Sequence, residues 1–200
     1  MSSRHRWLAV VLSGALVACG EQGVPVPSDQ FHRLNVGAPG VVYEKAPISG
    51  VLEVDRFRAS EVLQDRAIVF VEHDSPNVLH QYYYQLWVDE PPRMLQTVTI
   101  DYLREAHLAD QIVGTGLRIV PAYTLSGEIK RFEHEIGSPS SVAVALEFSL
   151  REHKSGSMVW MKSYNASRTV ANSSVSAATR AISEAVEEIL GRLSTDLASR

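Results

Sequence analysis

One cysteine in 200 residues rules out an internal disulfide and any dithiol chemistry. A long apolar run is missing too. The most hydrophobic stretch, Trp7 to Val17, holds about eleven residues and is broken by Ser13 and Gly14, whereas a helix needs roughly twenty to cross a bilayer. No glycine-rich loop ends in Lys-Ser or Lys-Thr, so the chain carries no Walker-type ATP site, and no G-x-S-x-G nucleophile elbow is present. Positive charge is short as well. The formal net charge is −4, and it becomes more negative by two without residues 1–18, which hold Arg4 and Arg6. That sign argues against a nucleic-acid partner.

What is present begins with the placement of that one thiol. Arg4, His5 and Arg6 form a basic head, the short apolar run follows, and small residues precede Cys19. This order is the build of an export signal spanning 1–18. Leu16-Val17-Ala18-Cys19 resembles the lipobox of bacterial lipoproteins. The resemblance implies cleavage before Cys19, a diacylglycerol on its sulfur, and a fatty acid such as palmitate on the new amino group. Two or more chains hold a soluble domain stably on a membrane, since each buried methylene contributes about 0.8 kcal/mol. The enterobacterial sorting rule retains lipoproteins with Asp after the lipidated cysteine in the inner membrane; Gly20 stands there, so delivery to the outer membrane is expected.

From Gly20 to Gly50 five glycines and four prolines with few apolar clusters read as a tether and a loose lead-in, residues 19–49. Residues 50–200 have the length of one domain with its own core. Strands are expected at Gly50–Phe57, Arg66–His73 and Leu79–Leu86, the last two joined by Asp74-Ser75-Pro76-Asn77 as a hairpin. Asp89-Glu90-Pro91-Pro92 is a helix start, and Met94, Leu95, Val98, Tyr102 and Leu103 mark one face of a helix running to about Ala106. Leu117–Val120 and Ala122–Phe132 read as extended. Val142, Val144, Leu146, Phe148 and Leu150 alternate with smaller or polar residues, a turn follows at His153–Gly156, and Met158–Thr169 returns antiparallel. A final helix from Val175 to about Leu197 has cap candidates Asn172, Ser173 and Ser174. The order predicts an α+β fold, a largely antiparallel sheet covered by two amphipathic helices.

Candidate chemistry is sparse. Glu72-His73-Asp74 with His80, and Glu133-His134-Glu135, lack the spacing of a known metal site, so neither a metal nor another cofactor is expected. The serines of Gly137-Ser138-Pro139-Ser140-Ser141 read as turn formers. Gln81-Tyr82-Tyr83-Tyr84-Gln85-Leu86-Trp87 is the distinctive stretch. In a regular strand Tyr82, Tyr84 and Leu86 face one way and Tyr83, Gln85 and Trp87 the other, so large rings emerge on both faces. Two readings stay open for Tyr82, Tyr83, Tyr84 and Trp87: packing beneath the helices, or an interface with protein or lipid, where Tyr and Trp are favoured.

The run VLEVDRFRASEVLQDRAIVFVEHDSPNVLHQYYYQLWVDEPPRMLQ, then YTLSGEIKRFE, then VALEFSLREHKSGSMVWMKSYNASRTV and the closing amphipathic helix resembles the ABC-type transport auxiliary lipoproteins. This is the PqiC-like group that accompanies mammalian-cell-entry (MCE) domain lipid transporters. The resemblance implies a periplasmic domain tethered to the outer membrane that works, without catalysis of its own, with an MCE-domain protein, a permease and an ATPase moving phospholipid or other hydrophobic compounds. A homo-oligomer is expected by analogy with a conduit across the periplasm. The competing function class is a structural or assembly lipoprotein that recruits secretion or cell-wall machinery.

Overall fold

The computed structural model describes residues 27–117 and 119–200; Cys19, the signal segment before it and the tether through residue 26 lie outside the described residues. In chain order the elements are β1 (Gln30–His32), β2 (Ile48–Val54), the two-residue β3 (Arg58–Ala59), a 3-10 turn (Glu61–Leu63), β4 (Ala67–Glu72), β5 (Ser75–Trp87), α1 (Pro91–Glu105), β6 (Ala109–Gly114), β7 (Tyr123–Ile136), β8 (Ser141–Glu152), β9 (Met158–Thr169) and α2 (Val175–Ala198). Both helices fall where their apolar spacing predicts. Pro91 and Pro92 open α1, where a missing N–H costs nothing, and the Ser174 side chain accepts from the Ala177 N–H to cap α2.

The fold is α+β, and the strands of the described residues form one mixed sheet. β7 is the shared strand. Along one side it pairs antiparallel with β8 from Tyr123 to Glu135, and β8 pairs antiparallel with β9. Along its other side β7 meets three partners in succession, all parallel: β2 at Tyr123–Leu125, β3 at Glu128–Ile129 and β4 at Glu133–Ile136. β6 extends the sheet beyond β2, again in parallel, and β5 extends it beyond β4, antiparallel, with β1 at its outer side. Short parallel pairings therefore sit beside the long antiparallel ladders that the alternation in β8 predicts.

One face of this sheet carries the core. Val142, Val144, Leu146, Phe148 and Leu150 of β8 are all buried, with Tyr164 of β9 and Leu125 and Phe132 of β7. Ile182, Val186, Ile189, Leu190, Leu193 and Leu197 of α2 lie against them, each contributing roughly 1.5–3 kcal/mol on burial. Polar contacts fasten the last turns of α2 to β9. The Tyr164 hydroxyl donates to Asp196 at 2.5 Å, and the Lys162 ammonium reaches the same oxygen at 2.7 Å. Burial opposes the Asp196 charge, but these two donors outweigh it and hold the carboxyl below its usual range.

The lead-in segment is built into the domain from β1 onward rather than hanging loose. Leu34, Ala46 and Ile48 are buried. The Asn35 N–H donates to Ser183 Oγ at 3.2 Å, the Gly37 N–H to Glu187 at 3.0 Å, and the Tyr43 hydroxyl to the Ser194 carbonyl at 3.4 Å, so residues 35–43 run along α2. One strand was not expected and one expected strand is absent. β6 lacks a clear alternation and pairs in parallel with β2. Of the stretch Leu117–Val120, expected as strand, Leu117, Ile119 and Val120 lie in no strand, between Gly116, which takes φ +105°, and Pro121.

The aromatic stretch departs most from a regular strand. β4 advances from Ala67 to Val69 while β5 runs from Leu86 to Gln81, so the tyrosines occupy an arch of extra residues. Such a bulge breaks the two-residue alternation. Tyr83 and Trp87 therefore do not share a face: Tyr83 is 90% exposed, while Trp87 is 1% exposed with its ring 5.3 Å from that of Phe132. Trp87 belongs to the core, which corrects its assignment as an interface residue. Trp87→Ala should cost about 3–5 kcal/mol of folding stability and Tyr83→Ala less than about 0.5 kcal/mol, measured by urea unfolding of the two single variants. A Trp87 variant of wild-type stability would contradict the placement.

Candidate docking surface

β5 forms the surface because its two sides are treated differently. One side pairs with β4; the other meets β1 only at Gln85–Trp87. Among the described residues no strand covers that second side from Ser75 to Tyr84. A bare edge of this kind presents unpaired backbone groups to any incoming strand. Apolar side chains gather along it. Tyr83 stands free, Tyr84 is 39% exposed, and Val78, Leu79, Phe31 of β1 and Val88 just after the strand are exposed as well. The Arg66 guanidinium lies 5.0 Å from the centre of the Phe31 ring and donates to the Trp87 carbonyl at 3.1 Å, which pins β1 beside the edge.

Tyr82 does the opposite of its neighbours and turns inward. Its ring lies 4.5 Å from that of Phe70, which also stacks on His80 at 5.1 Å. Tyr82 and Tyr84, expected on one face, are thus separated by the same arch. The Tyr82 hydroxyl is 3.0 Å from His134 Nδ1, and His134 Nε2 is 2.8 Å from Ser140 Oγ. Ser140 donates its own proton to the Glu135 carbonyl at 3.2 Å. The four groups form one hydrogen-bonded chain. Burial raises the Tyr82 pKa and lowers that of His134, so the phenol stays protonated and the ring neutral.

The Tyr82–His134–Ser140 chain joins side chains from three separate segments and acts as a brace. It ties β5 and β7 to the loop after β7, under the exposed Tyr83 and Tyr84. Glu133 and Glu135, the sequence neighbours of His134, project from the other face, where Arg131 bridges them at 2.8 Å to Glu135 and through two contacts to Glu133. Burial works against the Glu135 charge, but donation from Ser141 at 2.5 Å and from Arg131 keeps its carboxyl below the usual range. The triplet thus alternates across the sheet and does not converge on one point. His73 and Asp74 lie in the exposed β4–β5 turn.

The residues that sequence reasoning missed on this surface are Phe31, Val78, Leu79 and Val88. Val78 and Leu79 are consecutive apolar residues directly after Ser75-Pro76-Asn77, which the structure builds into the start of β5, and that pairing was the available signal for an exposed patch. Phe70 and Ser140 were missed as members of the brace, because they come from separate elements with no shared spacing.

With fold and surface in view, comparison with known proteins assigns the class. The profile of the family described as ABC-type transport auxiliary lipoprotein component matches residues 32–194. The chain belongs to this family. Membership implies a membrane-anchored protein of the cell envelope that serves an ABC transport system, and it points to a non-enzymatic role. The fold is similar to that of protein XCC0632 from Xanthomonas campestris, at a TM-score of 0.71 and 16% identity, over 82% of this chain and 92% of that one. It is also similar to an uncharacterized protein at a TM-score of 0.68 and 10% identity, over 86% of this chain and 99% of that one. No curated protein matches the chain.

The brace predicts a pH dependence. An unfolded histidine titrates near pH 6.5, and burial lowers the folded value, so below that pH the unfolded chain binds more protons. The His134 contribution is therefore complete above about pH 6.5 and is lost as pH falls through the folded value. In urea unfolding, His134→Gln should lower stability at pH 8 and lose less than wild type between pH 7.5 and 5.5. A variant as pH-sensitive as wild type would contradict the assignment.

Proposed function

We propose that the protein is the outer-membrane-anchored auxiliary subunit of an MCE-type ABC transport system that moves phospholipid or another hydrophobic substrate across the cell envelope, and that it acts by binding and tethering. The family supports the transport setting. The lipobox-like Leu16–Cys19 and Gly20 support a lipid anchor in the outer membrane after removal of residues 1–18. No described helix is long and apolar enough to cross a membrane, which suits attachment by acyl chains. The permease and ATPase of the system supply transport and energy, and this chain holds their MCE-domain partner at the membrane.

The observation that carries this reading is the bare, ring-bearing edge of β5. Exposed tyrosines combine a large apolar area with a polar tip, and edge backbone groups add hydrogen bonds to an extended partner segment. The partner committed to here is the MCE-domain protein of the same system. A second copy of this chain on the same edge is the competing occupant, and the test below separates the two.

Tyr83→Ala combined with Tyr84→Ala should weaken association with the MCE-domain protein by about 2 kcal/mol, or roughly thirtyfold, if both rings are central anchors. Co-purification from membranes in mild detergent, with unfolding of the same variant as control, reads this directly. Unchanged recovery of the MCE-domain protein, or a loss confined to self-association, would remove the assignment. Cys19→Ala should leave an uncut or soluble precursor, and a free thiol on Cys19 with residues 1–18 intact in the wild-type protein would overturn the anchor.

A further inference from the structure

A cleft of about 540 Å³ runs between the lead-in segment and the first half of α2. Pockets that hold small ligands have this size. Its two walls run side by side in the same chain direction. His32 Nδ1 lies 3.4 Å from Thr179 Oγ1, the Asn35 N–H donates to Ser183 Oγ, and the Gly37 N–H donates to Glu187. Arg33 and Arg180 therefore line the end marked by His32 and Thr179. Glu187 lines the end marked by Gly37, with Glu184 about one turn before it.

The fold itself does not use these four charges against one another. Among the described residues neither arginine has a carboxylate within ion-pair reach and neither glutamate has a cation, although Glu188 on the next face of α2 engages both Arg168 and Arg192. Arg33, Arg180 and Glu184 are exposed. Glu187 is held by backbone instead: the Gly37 N–H donates to its Oε2 at 3.0 Å, and a Cβ at position 37 would fall 2.8 Å from that same oxygen. Glycine at 37 thus leaves room for the carboxylate.

The distribution of sign selects the ligand. A simple anion drawn to the arginines would meet two carboxylates in the same cleft, and a simple cation would meet two guanidiniums. Along α2, Arg180 and Glu184 are separated by about 6 Å of helix rise. A molecule that carries both signs, held apart by a short linker, satisfies both ends at once. Arginine favours phosphate at the cationic end, because its fork of N–H donors matches two oxygens together. Phe31, 53% exposed, adds an apolar wall beside the arginines.

We propose that this cleft binds a phosphate ester that also carries an ammonium, the headgroup chemistry of an aminophospholipid, with the phosphate on Arg33 and Arg180 and the ammonium on Glu184 and Glu187. This rests on the phospholipid cargo proposed above. Phe31 belongs both to the cleft and to the surface along β5, so a lipid held here lies next to the docked partner. The same chemistry occurs in a water-soluble glycerol ester, and the test separates the two sources.

The test is calorimetric titration of the full lipidated chain in nonionic detergent with dihexanoyl phosphatidylethanolamine, dihexanoyl phosphatidylglycerol, glycerophosphoethanolamine and inorganic phosphate. The expected result is one site that takes the ethanolamine lipid at least about threefold more tightly than the glycerol lipid. Arg33→Gln with Arg180→Gln should weaken it by about tenfold or more, and Glu184→Gln should bring the two lipids close to equal affinity, with unfolding midpoints unchanged. Absence of binding, equal affinity for both lipids in wild type, or variants that bind like wild type overturn the cleft assignment; recovery of the MCE-domain protein with that same wild-type chain keeps the transport reading standing, and its loss removes that reading instead. Inorganic phosphate that binds as tightly as the ethanolamine lipid overturns the two-signed ligand. Glycerophosphoethanolamine that binds as tightly as the lipid overturns the lipid source and assigns the cleft to the soluble ester.

Discussion

Everything in this fold is arranged around β7. A strand of 14 residues gives one side to β8 along nearly its whole length and divides the other among β2, β3 and β4. A strand buried on both sides must satisfy all of its backbone groups within the sheet, and no single neighbour here is long enough to do so. The three short parallel partners solve this together. β2 and β4 then bring along β6 and β5, and the connections between them place α1 at one end of the sheet. α2 closes the β8–β9 half, and the lead-in segment from Asn35 to Tyr43 is laid along it.

The candidate docking surface is a by-product of that division. Because β4 occupies only the Glu133–Ile136 end of β7, β5 hangs at the margin of the sheet and is longer than the strand it pairs with. The surplus is taken up in the arch around the tyrosines. Trp87 on one side of the arch reaches the core against Phe132, Tyr82 reaches the brace to His134 and Ser140, and Tyr83 and Tyr84 are left outside. The rings that face solvent therefore stand between the buried Trp87 and the half-buried, hydrogen-bonded Tyr82, which hold the backbone on both sides of them. Preorganisation of this kind lowers the ordering cost of binding.

What could be read from the chain was what local physics dictates. The three- and four-residue spacing of Met94 to Leu103 and of Ile182 to Leu197 placed both helices, and the alternation from Val142 to Leu150 placed β8 and its return strand. The parallel pairings were hidden, because a parallel neighbour is brought in from a distance and leaves no turn signal between the two strands. β6 was hidden for the same reason. Leu117 to Val120 looked like a strand by composition, but Leu117, Ile119 and Val120 lie in no strand, between Gly116 and Pro121. For the surface, alternation made it clear that the tyrosines could not all be core. It failed at Trp87, since a bulge shifts the parity of every residue beyond it and nothing in the sequence marks its position. The lipidation proposed for Cys19 rests on order alone, a basic head, an apolar run and small residues, and falls outside the described residues.

The central claim is that the free edge of β5, braced from beneath, is where the domain meets its partner. Hydrogen–deuterium exchange of the full chain, alone and with the MCE-domain protein, tests it most directly. The account predicts slow exchange along β7 and β8 in both states, with fast exchange at Asn77 to Tyr84 in the free protein that becomes slow on addition of the partner. Protection that appears along β9 instead, with the β5 edge still exchanging freely in the complex, would contradict it.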